Sequence, residues 1–523
     1  MILSQGTIIS KSRRGTFVMK ESKEDFIRKE GNAFPGATYA KHLLEHVFLL
    51  QRDHLSSVMF DVHRAHTVML LEADIIDIEE AGCILQGLDT VSKIQISSLQ
   101  YDSEYEDLFF LLEQKIGEEI GHDLAGNMHI AKSRNDMGVT MYRMVLRKYM
   151  LELANSTLGL AEAVLHQAEE QKDTIIPAYT HTQPAQPITL GHYLLAVFDG
   201  LMRDIERLLR AFKTVNLSPL GAAALSTTGF PINRERTAEL LGFDGVVENS
   251  YDAIAGGDYL VEGATAVLSL MTNTGRWIQD FLLYVTKEFN AISIADPYVQ
   301  ISSIMPQKRN PVSVEHSRAL ASSSAGEALT VLHMIHNTPF GDIVDTEDDL
   351  QPHLYRSYEK ANRVVLLMNA VIRTMNVNKE MLHERAAKHC ITITELADVL
   401  ARDKHIPFRT AHKLAGEVAK ACTNKQCELY ELSAAEVNQL LERYASSTLT
   451  DCEWKDIISP DVFVSRRSVR GGPNIQEAER MIIERNKTMQ EARHTLEQAG
   501  QNIKKANNTL IARIQEIIKE QHP

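Results

Sequence analysis

The chain contains no run of about 18 consecutive apolar residues, so no membrane-spanning helix is expected. Its 523 residues include only five cysteines, Cys83, Cys390, Cys422, Cys427 and Cys452. An odd count excludes a complete disulfide framework and fits reduced thiols in the cytoplasm. Cys422 and Cys427 have no second Cys/His pair at zinc-finger spacing, so no metal is expected. Sustained Lys/Arg tracts are absent as well. With 55 basic against 69 acidic residues and a net charge of -14, nucleic acid and anionic membrane are poor candidates for a main partner. The first twenty residues carry Lys11, Arg13, Arg14 and Lys20 but no acid. They lack a secretory apolar core and read as a solvated basic tail, with a transit peptide as the alternative.

Proline is scarce, 15 residues in all, which leaves room for long helices. A partly ordered extension over 1–38 gives way to helical periodicity from Ala40 to about Ser97, and the 104–126 region adds a helix closed by glycine. The middle of the chain holds unusually long patterns. Met137 to Asp173 has no proline, and Leu190, Leu194, Val197, Leu201, Ile205, Leu208 and Phe212 recur at intervals of three and four. The series from Leu260 to Phe289 repeats that spacing, and Val312 to Asn337 and Pro352 to Asn376 follow. These seams predict an all-α fold: an N-terminal helical domain over 39–130, a long-helix bundle over 131–377 and a C-terminal helical domain over 378–523. Ile475 to Gln521 reads as a charged helix, solvated or packed along a partner subunit.

Ser302-Ser303-Ile304-Met305-Pro306-Gln307-Lys308-Arg309-Asn310-Pro311 stands out between two helical stretches. Two prolines deny it helical hydrogen bonding, so hydroxyls, an ammonium and a carboxamide project from irregular backbone. A cation beside an amide suits a carboxylate, and a serine in that field can act as a base. Ser133-Arg134-Asn135-Asp136 and Thr180-His181-Thr182-Gln183 are two further polar clusters. Each of the three precedes a long helix, so in a bundle they are expected to meet at one end, where helix N-termini favour an anion. Lys308, Arg309, Arg134 and Arg234 are candidate cations against the acidic whole. The simpler account makes Ser133, Asn135 and Thr189 helix caps and His181 a hydrogen-bonded structural residue.

The 302–311 loop resembles the signature of the fumarase/aspartase superfamily, G-S-S-x-M-P-x-K-x-N-P, with Ile301 in place of the leading glycine. Residues 129–136, HIAKSRND, and 177–188, PAYTHTQPAQPI, are similar to blocks of the argininosuccinate lyase branch. The likeness runs in order from about Glu104 to about Pro473. It implies a fumarase/aspartase-like helical bundle, a homotetramer with active sites shared between subunits, and no metal or organic cofactor.

By position the resemblance implies that Ser302 is the base, with Lys308 and Asn310 stabilising the charge that develops on the succinyl carboxylate. It implies that His181, oriented by Glu315, handles the leaving nitrogen's proton. Ser133, Asn135 and Thr180 would bind carboxylates, and Arg134, Gln186, Ser303 and Arg234 complete the expected substrate-binding set. The branch's E-D-V-H-M-N becomes Glu106 to Leu111, EDLFFL, with Phe109 at the histidine position. Thr346 and Asp349 stand where the branch has glutamine and lysine. The implied activity is elimination of fumarate from an N-substituted aspartate, argininosuccinate, with a different amine adduct as the alternative. A third reading, from another class, is a structural protein on this fold, as in some lens crystallins.

Overall fold

The computed structural model describes residues 9–11, 17–19, 22–442 and 447–521. The reading of a solvated basic tail falls outside the described residues apart from the backbone strands Ile9–Lys11 and Phe17–Met19. The extension is more regular than its composition suggests. Those strands pair antiparallel, and Lys23–Glu30 is a helix capped by Ser22, whose hydroxyl accepts from Asp25 N.

Residues 37–72 are helical throughout but contain two single-turn π segments, Ala40–Leu44 and Gln51–Leu55. They lead into α1 (Ser56–Glu72), which packs with α2 (Ile78–Ser92) and α3 (Leu108–Ile120). The boundaries have local causes. Asp77 forms a capping box with Glu80, Asp107 accepts from Phe110 N, and Gly121 ends α3 at φ 92, where a Cβ would be strained.

Five long helices follow: α4 (Arg134–Glu170), α5 (Leu190–Val215), α6 (Asp258–Tyr284), α7 (Val312–Ile335) and α8 (Gln351–Thr374). Their cross-links fix their directions. Arg143 near the start of α4 donates to Thr214 O near the end of α5 (2.8 Å), and Tyr193 near the start of α5 donates to Asp280 near the end of α6 (2.8 Å). Arg318 near the start of α7 donates to Gln279 of α6, and Ser324 of α7 donates to Ser357 O of α8. Tyr142–Asp348 and Asn362–Glu152 then run α8 parallel to α4. The bundle therefore alternates up, down, up, down, up. Gly191 allows the reversal between α4 and α5, because a Cβ there would sit 2.5 Å from Ala168 O.

Among the described residues the only sheets are four two-stranded antiparallel ribbons. Two hold candidate site residues: β1 (Ile175–Thr180) with β2 (Gln183–Thr189), and β3 (Gln300–Ile301) with β4 (Arg309–Asn310). The all-α expectation holds. Beyond the bundle, α9 (Ile393–Arg402) and α10 (Phe408–Lys425) build a separate core around Leu396, Leu414, Val418 and Trp454.

The final helix, α11 (Ile475–Gln521), corrects the expectation of a solvated or partner-bound tail. It lies along its own chain. Ile482, Met489, Leu496, Leu510 and Ile517 are buried in the main core, and Ile503 packs against it. These positions recur every seven residues, a narrow helical stripe. Arg485 grips Asp199 of α5 with two bonds (2.8 and 2.5 Å), and Arg513 reaches Glu72 of α1 (3.2 Å), so α11 straps the N-terminal helices to the bundle.

Truncating the strap's stripe tests its contribution. Leu496→Ala is expected to lower unfolding free energy by about 2–4 kcal/mol, while Glu497→Ala on the exposed face changes it by less than about 0.5 kcal/mol, both read by urea denaturation. Acid stability supplies a second test, at Glu327 of α7. Burial disfavours its charge, yet hydrogen bonds from Arg356, Lys360 and His353 hold the carboxyl at about 2. Its folded value lies below the unfolded one, so the stability it contributes is present above about pH 4.5 and is lost as pH falls toward 2. Glu327→Gln should flatten that limb of the stability curve.

Candidate active site

Ser133 begins α4. Its hydroxyl accepts from Asn135 N (3.3 Å), and Asp136 returns the box by accepting from Ser133 N (2.9 Å). Asp136 also accepts from Gly221 N (2.8 Å) and Ala223 N (3.0 Å), tying the loop after α5 to this helix start. Burial pushes its carboxyl up to about 6 against those three bonds. Arg234, expected in the substrate-binding set, braces the same loop. Its guanidinium donates to the carbonyls of Leu220 (3.1 Å), Val247 (2.9 Å), Glu248 (3.3 Å) and Pro219 (3.5 Å).

Behind Ser133 lies a group of bases that sequence reading did not single out. Lys132 donates to His63 Nδ1 (2.9 Å), and burial, opposed by Asp136 and Glu113, lowers its ammonium to about 7. Burial likewise holds His66 and His129 down near 3. The rings of His63 and His129 pack on Phe109, which, with Phe110, lies under the Arg134 guanidinium.

Arg134 and Asn135 line a cavity of about 170 Å³. Its wall is acidic. Asp342 accepts from Asn135 Nδ2 (2.6 Å), Asp348 accepts from Tyr142 (3.0 Å), and Asp107 and Glu347 complete the lining. Burial, with repulsion from Asp342 and Asp348, pushes Glu347 up to about 7; burial raises Asp348 to about 6.

Thr180 and His181 stand at the tip of the β1–β2 hairpin. His181 and Thr182 make its two-residue turn at φ 50 and 63, the left-handed pair that a type I′ turn requires. Neither is glycine, and Thr182 is β-branched, so the tip holds backbone strain and presents His181 to solvent. Gln186 on β2 donates to Thr394 at the start of α9 (3.1 Å).

Ser302 opens the loop between β3 and β4. Its hydroxyl accepts from Met305 N (3.2 Å) and its N–H donates to Lys308 O (3.2 Å). Ser303, Lys308 and Glu315 are exposed and Asn310 is half-buried. Arg309 turns back to Asp296 and Ile294 O, anchoring the ribbon.

The three clusters do not meet at one end of the bundle within a chain. Ser133 begins an upward helix, whereas the hairpin and the Ser302 loop precede the downward helices α5 and α7. The 37 residues of α4, at ~1.5 Å each, separate the two ends by about 55 Å. Even at the shared end, no hydrogen bond or ion pair joins the Ser302 loop to the hairpin tip among the described residues. Nor, among those residues, is any group of three His, Cys, Asp or Glu side chains arranged to hold a metal ion.

Comparison with known proteins identifies relatives that share this arrangement of blocks. A lyase family model matches residues 47–326, and a model of the argininosuccinate lyase C-terminal region matches 390–465. The chain is 40% identical to argininosuccinate lyase 2 of Agrobacterium fabrum over 85% of its length and 89% of the relative's. It is 37% identical to argininosuccinate lyase of Methanocaldococcus jannaschii, covering 86% and 91%. Among solved structures, EDDS lyase in complex with formate superposes with a TM-score of 0.84 at 31% identity, covering 91% of this chain and 96% of that one. A class II fumarase from Schistosoma mansoni, at 14% identity and a TM-score of 0.63, shares the fold.

Asp136 offers a direct test of the helix start. Asp136→Ala leaves one buried and two partly buried N–H donors without this acceptor and should cost about 3 kcal/mol or more in urea denaturation.

Proposed function

Because this chain belongs to the lyase family, in its argininosuccinate lyase branch, we propose that it works as a homotetramer whose sites are shared between subunits. It is a carbon–nitrogen lyase of the argininosuccinate lyase type, releasing fumarate and arginine from argininosuccinate, and its place is arginine biosynthesis in the cytoplasm.

The observation that carries the shared site is the polarity of the bundle. One end of the chain offers the anion-binding start of α4, and the other offers two exposed catalytic clusters. Copies associating antiparallel bring those halves together, as closed symmetry allows. In the completed site Ser302 takes the proton from the carbon next to a succinyl carboxylate, and the electron pair moves into that carboxylate as an aci-carboxylate. Lys308 and Asn310 offset the charge there. Collapse of that intermediate forms the C=C bond of fumarate and breaks the C–N bond. His181, oriented by Glu315, delivers the proton to the departing nitrogen. Ser133, Asn135, Thr180 and Ser303 hold the carboxylates, at the positive end of α4 where anions are favoured, while Arg134 and Gln186 line the site.

A second reading keeps the elimination and changes the leaving amine. It is favoured by Asp349, which stands where the branch has lysine and suits a more cationic leaving amine. The structural-protein reading predicts no turnover from the native protein.

Ser302→Ala should reduce fumarate release by about 10³-fold or more with unchanged melting temperature and oligomer size. Dissociating and reassociating a mixture of the Ser302→Ala and Asn135→Ala variants should restore activity, because some sites then draw both intact residues from different chains. No recovery would mean that each site is built within one subunit.

A further inference from the structure

A second cavity, of about 480 Å³, lies between α1, the middle of α4, residues 240–241 and the strap α11. It sits about three to five turns along α4 from Ser133. Its strap wall, from Gly500 to Leu510, lies beyond the last stretch that matches the family. The floor is apolar: Met144, Leu240, Leu241 and Leu510 line it and are buried. The rim is cationic. Lys148 and Lys504 stand there exposed, and neither has a hydrogen-bond or ion-pair partner among the described residues.

Arg147 adds an independent sign. It lines the cavity and is only 4% exposed. Its guanidinium donates to Leu241 O (2.6 Å), Gly242 O (3.1 Å) and the Asn216 carboxamide oxygen (3.0 Å), all neutral acceptors. Burial pulls it down to about 10, against the charges of Asp244 and Asp61. A buried cation bonded to no carboxylate is costly, and an anion brought close lowers that cost. Asp61, which also lines the cavity, is answered by Arg64 at 3.5 Å. Gly500 lies inside a 47-residue helix, and a Cβ there would meet nothing within 4 Å. Glycine costs a helix interior about 1 kcal/mol relative to alanine. Packing does not ask for it here, and its effect is to leave the mouth of the cavity clear.

We propose that this cavity is a binding site separate from the reaction, and that it takes an amphipathic anion: an alkyl carboxylate of medium length, its chain on the leucine and methionine floor and its head between Lys148 and Lys504. The chain is stabilised by leaving water. The carboxylate gains charge-assisted hydrogen bonds from two ammonium groups that have no other partner. Neither half suffices, because a small anion leaves the floor bare and a neutral alcohol leaves the cations unanswered. A ligand seated here touches both α4 and α11, so occupancy holds the strap to the bundle and stabilises the folded chain.

Calorimetric titration of the full-length protein with octanoate, octan-1-ol and acetate tests this. Octanoate is expected to bind at least about tenfold more tightly than either of the others and to raise the melting temperature. Gly500→Leu, whose added Cβ has free space, fills the mouth and should weaken octanoate by about tenfold or more, with a melting temperature at or above the native one. Lys148→Gln combined with Lys504→Gln should weaken octanoate similarly and leave octanol unchanged. Octanol bound as tightly as octanoate, octanoate bound undiminished by the Gly500→Leu protein, or no binding of octanoate at all overturns the inference.

Discussion

Rigid helices that alternate in direction govern this molecule. A residue at the start of one long helix is held about 50 Å from a residue at the start of its antiparallel neighbour, and no side-chain motion closes that distance. The anion-binding start of α4 therefore faces away from the hairpin and the Ser302 loop of its own chain. A bundle of this kind is stiff enough to hold side-chain clusters apart, and the site proposed above draws on more than one copy for that reason.

The stiffness comes from many modest contributions. Caps satisfy the helix starts, Gly191 lets α5 leave close against the end of α4, and Glu327 gathers three basic side chains between α7 and α8. The strap α11 adds a continuous apolar seam along the outside of α4 and α5 and onto the N-terminal helices. Against this frame the exposed elements are small. A strained two-residue turn and a two-proline loop carry His181 and Ser302, and each is anchored by its base rather than at its tip.

Charge is arranged locally and against the average. An acidic chain presents the positive end of α4, while the neighbouring cavity is lined with carboxylates. The two regions share Arg134 and Asn135. Lys132 and its histidines lie behind this boundary, where burial keeps the rings neutral.

Several features were legible from residues alone because their causes are local. Heptad-like seams announced the long helices, caps and glycines marked their ends, and the motif around Ser302 marked the chemistry. The seven-residue stripe from Ile482 to Ile517 was equally readable, but the surrounding charge masked it. The four carbonyls that engage Arg234 come to it only in the fold. Helix order and direction were likewise beyond the reach of periodicity, which reports which face is apolar and nothing about which end meets which. So the sequence by itself determined the helices, their apolar faces and the reactive side chains, all set by contacts a few residues apart. Only the tertiary structure decided that those side chains lie at opposite ends of the bundle, and that carboxylates from two separate segments share one wall, because long-range packing alone brings them there.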